Sequence, residues 1–195
     1  MPLVFPSPPP IDQAFLARRL AQIAASNLSG APGQIAGVEV AKLSCATPHQ
    51  YWYSSEDAVM ANKLLANAVA KSWRFLLCEG RTGVGEIEIT LKQQSQASPA
   101  IAVHAGPAAQ LSIEALAIAE SLPEVRNEDV EARFLRIPSL YFAAVWLHSA
   151  GFDRLIPISV VQPALTSMQV YSEAQVRQAL LARVARSDES IARRR

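Results

Sequence analysis

The longest apolar stretch of the chain, from Val130 to Val161, has a pattern of positions that predicts two paired strands. Residues 140–147 are hydrophobic without a charged or amide residue among them, so neither set of alternate positions is polar. Aromatic and β-branched residues are common there, and this composition favours a strand that is covered on both faces. Residues 149–153 then predict a turn, and residues 155–158 predict the returning strand of a hairpin.

A buried helix is the alternative for residues 139–148. Pro138 suits the first turn of a helix, the Ala143–Ala144 pair suits its middle, and Gly151 suits its C-terminal cap. A short apolar run cannot be assigned by periodicity alone, because it presents the same hydrophobic residues in either conformation. We therefore predict a strand here and keep the helix open as the alternative.

The pattern elsewhere alternates between strand and helix periods. Hydrophobic residues recur at every second position along Trp73–Glu79, and hydrophobic and polar residues alternate along Val84–Lys92. This pattern predicts a second hairpin closed by a turn at Gly80–Gly83. In that hairpin Glu86 and Glu88 are predicted to lie on a solvent-exposed face. Capping residues and apolar stripes at helical spacing predict four helices. Their approximate ranges are 12–28, 54–71, 107–122 and 172–186.

This order of elements predicts an α+β fold. We expect a curved sheet that is mainly antiparallel, with a mixed sheet as the alternative, and helices packed on one face. The arrangement resembles the cystatin-like topology class. The predicted organisation is a Pro-rich extended arm over residues 1–10, one α+β domain over 11–171, and a C-terminal amphipathic helix with a basic tail over 172–195.

The composition adds that the chain can form its own core. It has 195 residues, of which 50% are hydrophobic and 18% charged, and a chain of this size buries about 70% of its unfolded surface. The formal net charge of +1 argues against a nucleic-acid-binding surface. Apolar runs are too short for a membrane span, and the start MPLVFPSPPP does not resemble a signal peptide. We therefore predict a soluble cytoplasmic protein with no nucleic-acid or membrane partner.

The sequence contains no motif for a cofactor, a metal or an activated nucleophile. Residues 80–85 read GRTGVG, but they lack the GxGxxG order and a following helix, so phosphate binding is not predicted. The three histidines do not have metal-ligand spacing. Neither Cys45 nor Cys78 lies in a Gly-rich elbow or at a helix start, so two reduced, buried thiols are predicted. We predict no catalytic residue, no metal and no cofactor.

A small-molecule pocket is the one kind of site that the residue types favour. His104 precedes a helix start and His148 ends the central strand. If those two ends meet, the imidazoles can act as acid and base together with Asp153 or Glu79. Aromatic rings for stacking and a guanidinium for an anionic group complete the set. The candidate ligand-binding residues are His104, His148, Tyr51, Trp52, Tyr141 and Arg136.

Two functions from different classes fit this sequence. The first is a non-catalytic interaction or assembly protein of a bacterial cytoplasmic complex, favoured by the apolar composition and the lack of a chemical motif. Its predicted contact is the C-terminal helix, where Val176, Leu180 and Val184 form an apolar stripe for self-association or a protein partner. The alternative is a curved-sheet protein that binds a small molecule through the histidines and aromatic residues above, with or without catalysis.

Overall fold

A computed structural model describes residues 3–8, 18, 20–22, 25, 34–35, 38–90, 100–159 and 164–192. The chain folds as two compact units. The first unit contains Met1–Val4, Tyr51–Ala70 and Glu114–Arg195, and the second contains Phe5–Gln50 and Lys71–Ile113. The predicted arm and the predicted C-terminal helix therefore both contribute residues to the first unit, and the three-part division of the chain stays a prediction.

Within the described residues the chain forms nine strands and four helices of defined bounds, besides helical backbone at residues 18, 20–22 and 25. The strands are β1 (Gln34–Ile35), β2 (Val38–Glu39), β3 (Leu43–Tyr53), β4 (Val69–Glu79), β5 (Thr82–Thr90), β6 (Ala100–Ala105), β7 (Glu131–Ile137), β8 (Phe142–His148) and β9 (Asp153–Ser159). The helices are α1 (Glu56–Met60), α2 (Ala108–Ser121), α3 (Pro123–Asn127) and α4 (Glu173–Ala192). The helix predicted over 12–28 falls mostly outside the described residues, and those described within it, Arg18, Leu20, Ala21, Gln22 and Ala25, are helical.

The first unit contains a mixed sheet in the hydrogen-bonded order β3-β7-β8-β9. The last three residues of β3 run parallel to β7, whereas β7, β8 and β9 are antiparallel neighbours. Because β8 is a strand with buried residues on both faces, the strand prediction for the central stretch is confirmed and the helix alternative is wrong. Helical backbone is limited there to the single 3-10 turn Pro138–Leu140.

Helix α4 packs into the core of the first unit. The predicted apolar stripe is covered, with Val176 and Leu180 fully buried and Val184 6% exposed. Its core neighbours include Val59 of α1 and Trp146 of β8. The start of the helix is the predicted capping box, because the backbone N–H of Gln175 donates to Ser172 Oγ and that of Ser172 donates to Gln175 Oε1.

The helix predicted over 54–71 is much shorter than expected. Helix α1 ends at Met60, Asn62 adopts a left-handed backbone with φ of 58°, and strand β4 already begins at Val69. The cap is Ser55 rather than Ser54, whose hydroxyl donates instead to the Leu64 carbonyl at 2.8 Å. Tertiary hydrogen bonds of this kind stabilise a turn where the local pattern favours continued helix.

The second unit contains the order β6-β5-β4-β3, and β4, β5 and β6 are antiparallel neighbours. A separate two-stranded sheet pairs β1 with β2. The second hairpin is confirmed, with Trp73 opposite Ile89 and a tight turn at Gly80–Arg81. The observed fold is thus α+β, with mixed but mostly antiparallel open-sheet pairing, as the sequence predicted.

The glycines of residues 80–85 have structural roles. Gly80 has a φ of 59°, which suits the turn of the hairpin. A Cβ at Gly83 would lie 2.7 Å from the carbonyl carbon of Ala109, so only glycine lets the start of α2 approach β5 this closely. The side chain of Gln110 then accepts the Gly83 N–H at 3.0 Å.

Two further expectations concern membrane-spanning segments and the two cysteines. None of the described helices is long and apolar enough to cross a membrane. Both thiols are free, as predicted, but only Cys78 is buried and Cys45 is exposed.

Candidate functional site

One face of the first unit carries aromatic and charged side chains that we name the tryptophan cluster. Strand pairing sets Arg133 opposite Trp146, and it sets His148 opposite Asp153. Directly opposite residues point to the same face of a sheet, so the two ladders bring these side chains together. The cluster comprises Trp52, Glu131, Arg133, Trp146, His148 and Asp153.

The guanidinium of Arg133 lies against two indole rings. Its central carbon is 4.5 Å from the ring centroid of Trp52 and 4.7 Å from that of Trp146. Nε and Nη2 of Arg133 donate to the two oxygens of Glu131 at 2.9 and 2.8 Å. This bidentate bond neutralises the carboxylate, and the cation stabilises the packing of both rings.

Asp153 holds His148 in one tautomer. Its Oδ1 accepts the indole N–H of Trp146 at 2.7 Å and lies 2.9 Å from Nδ1 of His148. Because an ionised carboxylate only accepts hydrogen bonds, Nδ1 carries the hydrogen and Nε2 is the basic nitrogen. The His148 side chain is 38% exposed. Among the described residues no hydroxyl or thiol is hydrogen-bonded to the His148 imidazole.

A second group of charged residues lies on one face of β4, β5 and β6, and we name it the glutamate cluster. Arg74 stands opposite Glu88, and Glu86 stands opposite His104. Arg74 donates from Nη1 to Glu86 at 2.5 Å and from Nη2 to Glu88 at 2.8 Å. Nε2 of His104 lies 3.0 Å from the same oxygen of Glu88.

Burial decreases across the glutamate cluster. The side chains of Glu86 and Arg74 are 1% and 4% exposed, that of Glu88 is 15% exposed, and that of His104 is 47% exposed. The hydrogen bond with His104, aided by the positive charge of Arg74, lowers the pKa of Glu88 to about 2 although burial opposes the shift. The prediction that Glu86 and Glu88 lie on a solvent-exposed strand face is therefore wrong. Arg74 allows these carboxylates to be buried, because a buried charge must be paired.

The two predicted histidines have separate carboxylate partners. His104 contacts Glu88 in the second unit, and His148 contacts Asp153 in the first. Trp52 belongs to the same cluster as His148, because both rings pack against Trp146 at 5.5 Å.

The other three predicted site residues lie outside both clusters. Tyr51 lies on the face of β3 opposite to Trp52, and its ring stacks on that of Phe134 with 5.7 Å between the ring centroids. Tyr141 is 69% exposed, and the Arg183 guanidinium lies 5.4 Å from its ring. Arg136 is exposed on β7. The ligand-binding assignment of all six residues stays a prediction.

Sequence reasoning missed how the arginines organise both clusters. Part of a signal was present in the second hairpin, because counting back from the tight turn at Gly80 sets Arg74 opposite Ile87, next to Glu88. The bulge between Leu77 and Cys78 then shifts the register by one residue and sets Arg74 opposite Glu88. The spacing of His148 and Asp153 around the central turn carried the same information. Burial of the glutamates was not deducible in this way, since alternation gives a face of the strand but not its environment.

An open groove of about 350 Å³ lies along α4 in the first unit. Its lining is uncharged and contains none of the six predicted site residues. It is formed by Ala164, Leu165, Tyr171, Gln175, Gln178, Ala179 and Ala182. Within the described part of the chain, no three His, Cys, Asp or Glu side chains converge as a metal site would require.

Comparison with known proteins leaves the function to be argued from this geometry. No family model, no curated protein and no solved structure matches the chain.

Proposed function

We propose that this protein is a non-catalytic assembly protein whose copies associate by pairing their β6 strands edge to edge. The observation that carries the proposal is the open edge of β6. Among the described strands, β5 alone pairs with β6. A strand edge of this kind presents backbone N–H and C=O groups that another strand can bond.

The outer strand of the first unit shows what a protected edge looks like in this protein. Strand β9 contains Pro157, and proline is tolerated mainly on edge strands. Its outer backbone is also covered, because Leu155 and Tyr171 exchange two hydrogen bonds of 2.8 and 2.9 Å, and the N–H of Met168 donates to the Pro157 carbonyl. Strand β9 is therefore closed to a further strand over its middle.

Strand β6 has none of these protections in the part of the chain that the structure describes. Its sequence AIAVHA contains no proline, lysine or carboxylate, although natural edge strands commonly use such residues to prevent pairing. Ala102, His104 and Ala105 are exposed, and Val103 is half-buried. A strand without lysine or carboxylate, whose exposed side chains include two alanines, allows a second strand to approach to the usual spacing of about 4.8 Å.

Two copies of the same strand are suitable partners for each other. A twofold axis perpendicular to the sheet makes the new pair antiparallel, and opposite residues then point to the same face. A pairing centred on Val103 sets Val103 opposite its own copy and Ala102 opposite His104. No like charges face each other in this register, so it has no electrostatic penalty from directly opposed side chains.

The C-terminal helix is a weaker candidate for the contact than the sequence suggested. Its apolar stripe packs in the core of the first unit, so the residues expected to bind a partner are covered. A role of α4 in association stays a prediction, and it would have to use another face of the helix.

Light scattering over a range of concentrations tests the proposal. The wild-type chain of 21.1 kDa should approach twice its mass, whereas the Ala102→Lys/Ala105→Lys variant should remain a monomer, because charges on the edge oppose strand pairing. Ala102 is exposed and lies opposite Glu88, so lysine there gains a carboxylate neighbour and folding should be retained.

The matched control is Ala66→Lys/Ala150→Lys, which adds the same charge at exposed positions outside β6. It should associate like the wild type. A wild-type chain that is monomeric throughout, or a folded β6 variant that still dimerises, contradicts the proposal.

A further inference from the structure

We propose that the backbone of Val130–Ala132 is a binding site for an extended apolar peptide segment, and that the chain's own Leu3 and Val4 are its removable occupant. The inference concerns the first unit and does not depend on the pairing of β6.

The N-terminal segment pairs with β7 as an added strand does, through a single residue. The N–H of Val4 donates to the Val130 carbonyl at 2.9 Å, and the N–H of Ala132 donates to the Val4 carbonyl at 2.9 Å. These two bonds form a parallel bridge between Val4 and Glu131. One residue of the segment thus uses both of its backbone groups, as a residue in a parallel sheet does.

The site exists because the neighbouring strand covers only part of this edge of β7. Strand β8 pairs with β7 along its whole length, from Glu131 to Ile137. On the other edge, the ladder with β3 covers only Phe134–Arg136. The backbone groups before Phe134 are therefore left without a β3 partner, and Val4 bonds them instead. Unpaired backbone groups next to a core would otherwise need water or another partner.

The two residues of the segment have different roles. Leu3 is 6% exposed and contributes buried apolar surface, whereas Val4 is 43% exposed and is held mainly through its backbone. The site should therefore select an apolar side chain at the first position and a residue with a backbone N–H at the second. Most side chains are acceptable at the second position, because it faces solvent.

The residues that follow suit an exchangeable strap. Pro6 and Pro8 restrict their part of the arm to extended conformations, so little conformational freedom is lost when the segment binds. Val4 and Glu131 are far apart in sequence, and the contact closes a long loop rather than a local turn. Within the described residues, two backbone bonds and one buried side chain hold Leu3 and Val4, so an equivalent peptide can replace them.

The experiment uses the full-length chain and a fluorescent peptide with the sequence of residues 1–8, MPLVFPSP. In the Val4→Pro chain the N–H that bonds Val130 is lost and the strap is displaced. The peptide should bind this variant at least about tenfold more tightly than it binds the wild type, because the wild-type strap competes at a high effective concentration. Fluorescence anisotropy measures both affinities.

Matched controls distinguish backbone pairing at the proposed site from nonspecific binding of the peptide. The Ser7→Ala chain, altered outside the paired residues, should bind the peptide as weakly as the wild type. Peptides carrying Leu3→Ala or Val4→Pro should bind the Val4→Pro chain at least about tenfold more weakly than the native peptide. If the Val4→Pro chain does not fold, the Leu3→Ala chain releases the anchor without altering the backbone and replaces it as the receptor.

Equal, weak binding of the native peptide to wild-type and strap-displaced chains would overturn the inference. So would equal affinity for the native and Val4→Pro peptides, because the backbone bond would then contribute nothing. Neither result bears on the mass measurements for β6 variants, so the two proposals can fail separately.

Discussion

Arg74 and Arg133 both neutralise glutamates on a sheet face, but they do so in different surroundings. Arg74 is 4% exposed and is bonded to Glu86 and Glu88. Arg133 is 14% exposed, and its single carboxylate partner Glu131 is 28% exposed. Two indole rings flank Arg133, whereas Arg74 is bonded to two carboxylates.

The difference shows that the same residue type performs two kinds of stabilisation. In the glutamate cluster the arginine compensates carboxylates that are 1% and 15% exposed, so its removal leaves the Glu86 ion in a medium of low polarity. In the tryptophan cluster the arginine mainly adds packing and cation–π attraction, and water can solvate the carboxylate if the arginine is removed. Stability should therefore depend strongly on Arg74 and weakly on Arg133.

The largest effect is expected for Arg74→Leu. Glu86 would remain 1% exposed without its counter-charge, and breaking a buried pair in this way costs about 3–5 kcal/mol. Denaturant unfolding at pH 7 measures this loss. The Arg74→Leu/Glu86→Leu variant is the control, because removal of both charges should recover a large part of the stability. A loss below about 1 kcal/mol for the single variant would show that the glutamates are hydrated.

An intermediate effect is expected from acid. The pKa of Glu88 is lowered to about 2, so this group contributes stability that is fully present above its unfolded pKa of about 4.5. That contribution is lost as the pH falls towards the folded value, and it amounts to about 3 kcal/mol. Unfolding free energies of the wild type and Glu88→Gln should therefore converge between pH 4.5 and 2. A difference that is independent of pH would contradict the lowered pKa.

His104→Gln refines this test, since the hydrogen bond with His104 is the largest cause of the shift. In that variant the acid-sensitive contribution should shrink but not vanish, because Arg74 still bonds Glu88. The matched His148→Gln chain, altered in the tryptophan cluster, should retain the wild-type acid profile.

The smallest effect is expected for Arg133→Leu. Two cation–π contacts and one partly buried ion pair are lost, and these together contribute about 1–2 kcal/mol. Leucine also retains part of the packing between Trp52 and Trp146. The same denaturant measurement should rank this variant clearly above Arg74→Leu in stability. If the two variants were equally unstable, the contrast between buried charge and aromatic packing would be incorrect.

The candidate sites were only partly accessible to prediction. His148 was recognised as the end of the central strand, and the hairpin turn after it sets Asp153 opposite it. His104 was also predicted as a candidate site residue, but its partner Glu88 was assigned to a solvent-exposed strand face. The pattern of Glu86 and Glu88 is that of an exposed strand, and the burial of both carboxylates depends on their ion pairs with Arg74.

The sequence by itself determined the elements whose signals are local. The second hairpin, the capping box of α4 and its apolar stripe all follow from alternation, turn residues and helical spacing. These signals depend on residues close in the chain, and they hold in any tertiary setting that buries the apolar face. The central stretch was predicted as a strand with a helix as the alternative, and the tertiary structure decided between them.

The tertiary structure decided the features that depend on partners far apart in sequence. Helix α1 ends at Met60 although its pattern continues, and in the turn after it the Leu65 N–H is bonded by Glu173. The bond of Val4 to residues beside Glu131 is likewise invisible in a proline-rich arm. The burial of Glu86 depends on a charge supplied by the next strand. In each case the free energy comes from satisfying a buried polar group, and only the folded chain shows which distant residue can do so.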